Sequence, residues 1–389
     1  MAKALKFIRF TNARHLKHLS RAVLGQLLAP HLEEMKTRGV TVPADDLEDK
    51  DYYARWSDIF AEAEKLPDAL TEALLVIDDM STETAHESLL VQMELASIVV
   101  DVGEDATAME VAVQVFLHHE SFLKARHAEE QLHNLRSFVH FLPEPGAAKG
   151  VFQMPTAILT GAFADALKPF FRRRVKGRYV DVLYHAMDGE HWFVIVHGDT
   201  VARTLQIADE QKPTVLRYRP ERDDVLVYNP GSDTVRVNAA NDGERKEYAK
   251  QFGGVFLNDE GYFTLRDKYR FDPVKGGRAA FAKVKVEGIR EVVLRELRVF
   301  RGWDQKAVVT LRANDVFKVI EENHFHVGPG TIILKVGIDF YFGDDETPRF
   351  AKIVDENTAS IARACNHALI EQWFDLAGFI VGSEHGDGQ

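Results

Sequence analysis

Apolar residues recur at the helical period through the first third of the chain and at a period of two through much of the rest. Leu16, Leu19, Val23 and Leu27 fall on one helical face, with Asn12 placed to cap it. Further helices are predicted over 52–63, over 68–78 behind a first-turn Pro67, and from Ser81 or Thr82 through Val99. A long helical stretch opens at Asp105 and ends before Pro143. Its apolar face moves from Val111, Val115 and Phe122 to Leu132, Leu135, Phe138 and Val139, which predicts a break near 125–130. The prolines and glycines of 141–150 cannot continue a helix and predict a connector between domains. A helix over 156–171, kinked at Pro169, follows.

From there the alternation of strands dominates. Segments 178–187 and 190–197 flank Asp188-Gly189, a strong two-residue hairpin signal. That turn pairs Tyr184 with Phe193, Val182 with Ile195 and Leu183 with Val194. Apolar residues then face both ways, so the hairpin is expected to lie inside its sheet, covered on both sides. Strands are also predicted over 200–207, 214–219, 225–228 and 235–238, and near the C-terminus over 292–301, 306–311, 332–342 and 350–354. A strand–turn–strand–helix pattern recurs over 225–256, 292–323 and 332–379. In each, the second strand ends at a polar residue able to cap a helix: Asn241, Asn314 and Asp315, and Asn357. Asn241 with Glu244 reads as a capping box, 315–322 as a short helix, and 358–377 as the longest C-terminal helix. The expectation is an α+β protein. A helical domain (1–145) is followed by a β-rich α+β domain with a central hairpin (151–275) and a C-terminal ββα-ββα two-layer domain (280–382).

Composition narrows the class. The chain has 389 residues, 46% apolar and 28% charged, which suits a soluble globular protein of two or three domains. No window supplies the ~18 consecutive apolar residues of a membrane span. The start of the chain has no apolar signal-peptide core, and its basic opening from Lys3 to Arg21 is expected to be helical. The single cysteine, Cys365, excludes an internal disulfide and any multi-cysteine metal site; it falls in the pattern of the last helix, where a small buried residue is expected. A reducing cytoplasm is the expected location. The net charge of −12 is uneven. Residues 39–123 carry twenty carboxylates against Lys50, Arg55 and Lys65, so phosphates would be repelled there.

Chemistry-bearing motifs are sparse. The chain has no GxxxxGK[ST], no GxGxxG at a strand–helix junction, no GxSxG and no HExxH, and no Asp…Glu-x-Lys pattern fits adjacent strands. His119, Arg126, His133 and His140 recur every seven residues. Seven residues of helix rise about 10 Å, whereas the ligands of one zinc each sit ~2 Å from it, so one straight helix cannot bring two of these histidines to one ion. His324 and His326 are read as loop residues before Gly328-Pro329-Gly330. No metal and no cofactor are expected. The Arg126-x6-His133 spacing resembles, over these two residues, the Arg-x4–6-His signature of HEPN-type ribonucleases. That resemblance implies metal-free RNA cleavage with the two side chains meeting across a dimer.

The local signal that stands out is Lys168-Pro-Phe-Phe-Arg-Arg-Arg-Val-Lys-Gly-Arg-Tyr179, six cations and no carboxylate across a helix end and into a strand. Cations suit a helix C-terminus through its dipole alone. As a site, Lys168, Arg172, Arg173, Arg174, Lys176 and Arg178 would contact phosphates, with Arg217, Arg219 and Arg222 widening the patch if their strand lies alongside. The expected function is thus a non-enzymatic binding or sensor protein. Its partner would be nucleic acid or another polyanion, and its helical domain would make protein contacts or a homo-oligomer. The alternatives are a nuclease or other hydrolase with a site assembled from dispersed residues, and a structural subunit of a multiprotein assembly of the kind found in bacterial defence or mobile-element systems.

Overall fold

A computed structural model describes residues 7–103, 105–135, 137–206, 214–301, 307–328, 330–361 and 366–382. The chain forms two compact units, Met1–Asn134 and Leu135–Gln389. The class is α+β, a helical unit followed by a unit built on a large antiparallel sheet.

The first unit holds α1 (Ala13–Leu16), α2 (Arg21–Leu28), α3 (Leu32–Thr37), α4 (Asp49–Ala61), α5 (Asp68–Met80), α6 (Glu83–Leu95) and α7 (Ala108–His133). Hydroxyl and amide side chains set the starts of four of them: Asn12, Ser20, Thr82 and Thr107 each accept a backbone N–H of the first turn. Ser20 is why the apolar run from Leu16 to Leu27 makes two helices rather than one. Trp56, Phe60, Leu70, Leu74 and Val115 anchor the core between them. The break in the long helix falls at His119 (φ −142°, ψ 47°), upstream of the expected 125–130. No helix among the described residues is long and apolar enough to cross a membrane.

The second unit begins with a strand where helix was expected. β1 (Ser137–Pro143) alternates Phe138 and His140 on one face with Val139 and Phe141 on the other. Spacing of apolar residues over so short a run fits either period, and pairing decides: β1 bonds to three other strands. After α8 (Ala157–Arg173) come β2 (Val180–Met187), β3 (Glu190–Gly198), β4 (Ala202–Gln206), β5 (Thr214–Tyr218), β6 (Glu221–Asn229) and β7 (Thr234–Asn238). Next are α9 (Asp242–Phe256), β8 (Phe263–Leu265), α10 (Asp272–Lys275) and α11 (Gly277–Lys283). The chain continues through β9 (Ile289–Arg301), β10 (Ala307–Arg312), α12 (Val316–Glu322), β11 (Ile332–Phe342), β12 (Arg349–Val354), β13 (Thr358–Ile361) and α13 (His367–Leu376). One sheet runs β10-β9-β11-β12-β13-β1-β7-β6-β3-β2, with β8 beside β1; β4 and β5 form a separate ribbon. Segments 151–275 and 280–382, expected as separate domains, therefore share a sheet.

Helices cover opposite faces of that sheet at its two ends. α8 and α9 bury Phe163, Leu167 and Phe252 against the face that carries Val139, Phe193 and Leu226. α12 and α13 bury Phe317, Trp373 and Phe374 against Leu297, Phe340 and Ala359. Ala359 stands opposite Phe138, on the face of β1 away from Val139.

The Asp188-Gly189 turn has both φ values positive (53° and 74°), the geometry of a type I′ turn, and the register is the expected one, Tyr184 against Phe193 and Val182 against Ile195. The hairpin is not interior. Among the described residues β2 is an edge strand, with Val180 and Val182 buried and Asp181 and Leu183 facing solvent. Apolar Leu183 was the misleading residue, because it lies on the open face.

The recurring pattern holds in its first two copies. Asn241 and Asp315 cap α9 and α12 by accepting the N–H of Glu244 and Lys318. The third copy differs. Residues 358–361 form β13, the last helix starts only at His367, and Cys365 lies outside the described residues. Asn357 caps nothing: its carboxamide accepts the His140 N–H at 2.9 Å and donates to the His140 carbonyl at 3.0 Å, and it also donates to the Arg266 carbonyl.

Asn357→Ala leaves buried backbone groups of β1 without partners and should cost roughly 2–4 kcal/mol in urea unfolding. Asn238→Ala removes an exposed bond to Ser137 of the same strand and should cost under about 1 kcal/mol. Equal losses would mean that the seam does not depend on Asn357.

Candidate nucleic-acid interface

α8 starts at Thr156, which accepts the Leu159 N–H at 3.3 Å. Phe163, Leu167, Phe170 and Phe171 turn into the core, so Asp165, Lys168 and Arg172 point to solvent. At the other end the Lys176 N–H donates to the Phe171 carbonyl (3.0 Å) and the Val175 N–H to the Arg172 carbonyl (3.2 Å). These are the paired bonds of a Schellman motif. Its left-handed position holds Val175, φ 59° and 69% exposed, where a β-branched residue is uncommon. The reversal turns Lys176 inward and leaves Arg172, Arg173 and Arg178 outside.

Lys176 is 8% exposed and its ammonium is paired with Glu244, which is 0% exposed, and with Asp199 at 3.4 Å. Glu244 does not close the expected capping box; its carboxylate is drawn to Lys176 instead, with Oε2 left without a partner among the described residues. Arg222 binds Asp199 at 3.0 Å, and Arg219 donates to the carbonyls of Val175 and Asp199. Burial pulls the Asp199 carboxyl upward. The Thr200 N–H, Arg222 and Lys176 together outweigh it and hold the group at about 2.

Behind this turn the His197 ring stacks on Phe171, centroids 4.1 Å apart. Its Nδ1 faces the Gly198 carbonyl at 2.8 Å and its Nε2 faces Asp224 at 3.1 Å; the Tyr248 hydroxyl donates to the same Asp224 oxygen at 2.7 Å. Burial, then Asp224, push the Tyr248 hydroxyl far above its ordinary value, so it remains a donor. This buried network was not foreseen. Its members lie on β3, β6 and α9, far apart in sequence, and no spacing rule links them.

The six cations proposed from sequence thus separate. Lys168, Arg172, Arg173 and Arg178, with Pro169, line one open hollow of about 570 Å³ that has no carboxylate in its wall. Lys168 is held by Asp165 at 2.6 Å. Among the described residues the guanidinium groups of Arg172, Arg173 and Arg178 have no ion pair or hydrogen bond, and each side chain is exposed. Arg174 lies elsewhere, over the Phe170 ring at 4.8 Å. Lys176 is buried in the fold. Arg219 and Arg222 are tied to the turn, and Arg217 stands exposed on β5. Phe170 and Phe171 are core residues; Tyr179 is exposed.

The other candidates are placed as follows. Arg126 is bound to Glu129 (2.5 Å) and Gln92 (3.2 Å), and the His133 side chain lies outside what is described. His140 is on β1, not on the helix of His119. Among the described residues no three His, Cys, Asp or Glu side chains group as metal ligands. No known protein family matches the chain, and no curated protein matches it.

Lys176→Met leaves Glu244 as an unpaired buried charge and should cost roughly 3–5 kcal/mol, whereas alanine at Arg172, Arg173 and Arg178 together should leave the melting temperature nearly unchanged. Equal effects on thermal unfolding would contradict this division. Asp199 supplies an acid limb. It stays ionised in the fold to about 2, against an ordinary value of 3.8. Its contribution is present above the ordinary value and lost as pH falls through that window. Stability measured from pH 5 downward should fall less steeply in Asp199→Asn than in the parent; parallel curves would contradict the assignment.

Proposed function

We propose that this protein binds nucleic acid through backbone phosphates at the C-terminal end of α8. The observation that carries this reading is the set of three unpaired, exposed guanidinium groups, Arg172, Arg173 and Arg178, around one hollow with Lys168. The three unpaired guanidinium groups repel one another, and a polyanion relieves that repulsion while releasing its own counterions. The planar fork of arginine matches two phosphate oxygens at once, a geometry an ammonium does not offer. Phe170 and Phe171 are in the core and offer no stacking face, which leaves Tyr179 as the exposed ring beside the patch; the guanidinium contacts are to backbone, and binding is indifferent to sequence. The role is binding rather than catalysis. In this reading the acidic helical unit carries protein contacts, for which exposed Leu90, Val91 and Leu95 of α6 offer apolar surface.

Electrophoretic shifts with duplex DNA of unrelated sequences should give similar affinities that fall steeply with salt. Alanine at Arg172, Arg173 and Arg178 should weaken all of them alike and reduce the slope of log K against log salt by about one unit for each phosphate no longer neutralised. Absence of a shift at ~0.15 M salt would sink the reading and leave the patch as a helix end favoured by its dipole.

A further inference from the structure

Among the described residues no helix packs on the sheet face turned away from α12 and α13 around Gly337, and this face is built differently from the α8 patch. Gly337 of β11 stands opposite Glu296 of β9 and Lys352 of β12, so all three project to the same side, together with Asp339, Phe350 and Lys335. The sheet bends at this point, where the β9–β11 register shifts between Gly337 and Ile338.

Two carboxylates at the base of this face are buried, Glu296 at 6% and Asp339 at 7% exposed. Glu296 holds Arg312 at 2.9 Å and Lys335 at 2.7 Å; Asp339 holds Arg295 at 2.9 Å, and Arg295 also donates to Asn314 at 3.0 Å. Arg298 and Lys352, on the same face, have no ion pair among the described residues. Five cations thus surround two carboxylates, and the buried acids fix three of the cationic head groups in place. That lowers the entropy lost when those groups meet an anion.

Phe350 supplies the other element. Its ring rests on Gly337: a Cβ added there would meet Cζ at 2.6 Å and Cε2 at 2.9 Å, so the ring needs a glycine beneath it. Phe350 nonetheless keeps 43% of its surface exposed. It borders an open hollow of about 440 Å³ whose wall is completed by Arg295, Glu296, Arg312, Ala313 and Asn314. A solvent-facing aromatic ring beside fixed guanidinium groups is the arrangement that takes a base on the ring and its phosphates on the cations.

We propose that this face, centred on Phe350, binds single-stranded nucleic acid. In a duplex the base faces are stacked on one another and closed to Phe350, so an unpaired strand is the occupant that uses both the ring and the charge. The site is separate from the α8 patch, whose contacts are to backbone alone, and either can fail without the other.

The test uses the full chain and fluorescence anisotropy with three probes: labelled oligothymidylate, an abasic strand of the same length, and duplex DNA. Phe350→Ala should weaken oligothymidylate binding by about tenfold and leave the abasic strand and the duplex unchanged. Phe350→Trp should restore the oligothymidylate affinity, which separates stacking from damage to the fold. Arg298→Ala with Lys352→Ala, both at the surface, should weaken the oligothymidylate and the abasic strand together. Oligothymidylate binding unchanged by Phe350→Ala and by the Arg298/Lys352 pair, yet lost on replacing Arg172, Arg173 and Arg178, would overturn this proposal and leave the α8 reading standing. The converse pattern would support it and remove the α8 reading. No affinity for oligothymidylate would overturn it outright.

Discussion

The second unit depends on one seven-residue strand. β1 pairs with β13 and then β8 along one side and with β7 along the other, and these pairings are what make two groups of strands into a single sheet. The contacts are long-range: Ser137 meets Ser360, and Val139 meets Val237. Closing such separations costs chain entropy before any ladder bond offsets it. Asn357 secures the seam by satisfying both backbone groups of His140 with one side chain. The two helical layers cover opposite faces, so α12 and α13 do not cover the Phe350 side of the second half. In the first half the face away from α8 and α9 is buried at Phe138, Trp192 and Val227. The open face around Phe350 is a direct consequence of this arrangement.

The turn after α8 shows how packing sorts a run of like charges. Six cations close together in sequence cannot all serve one partner, since the chain reverses at Val175 and α9 brings Glu244 beneath it. Lys176 is the cation that faces Glu244, and burial of both makes the pair obligatory rather than weak: removing one partner strands the other. The pair anchors the turn, and the Arg219 and Arg222 contacts with Val175 and Asp199 hold its outer side. The three arginines left unpaired are therefore displayed from a fixed scaffold.

Local chemistry was readable from the sequence wherever one short segment decides the outcome. The Asp188-Gly189 turn set its own register, and Asn241 and Asp315 begin helices because capping needs only the next few residues. Placement was not readable where distant segments decide. β1 looks helical in isolation and becomes a strand through partners far along the chain, as Ser137 does through Ser360. Asn357 resembles a cap and serves as a backbone bridge. The hairpin looks two-sided in its apolar content and lies at an edge. The site divides in the same way. Composition located the basic segment, but only the position of Glu244 shows that Lys176 does not belong to it, and only strand register brings Phe350 together with Arg295, Arg298 and Lys352.

The central claim is that Arg172, Arg173 and Arg178 are free in the isolated protein and engaged by phosphates in the complex. Arginine-selective modification with phenylglyoxal, mapped by mass spectrometry with and without duplex DNA, tests both halves at once. The account predicts ready modification of these three arginines in the free protein and strong protection by DNA, with exposed Arg55 of the acidic helical unit modified equally in both. Modification of Arg172, Arg173 and Arg178 to the same extent with and without DNA would contradict it.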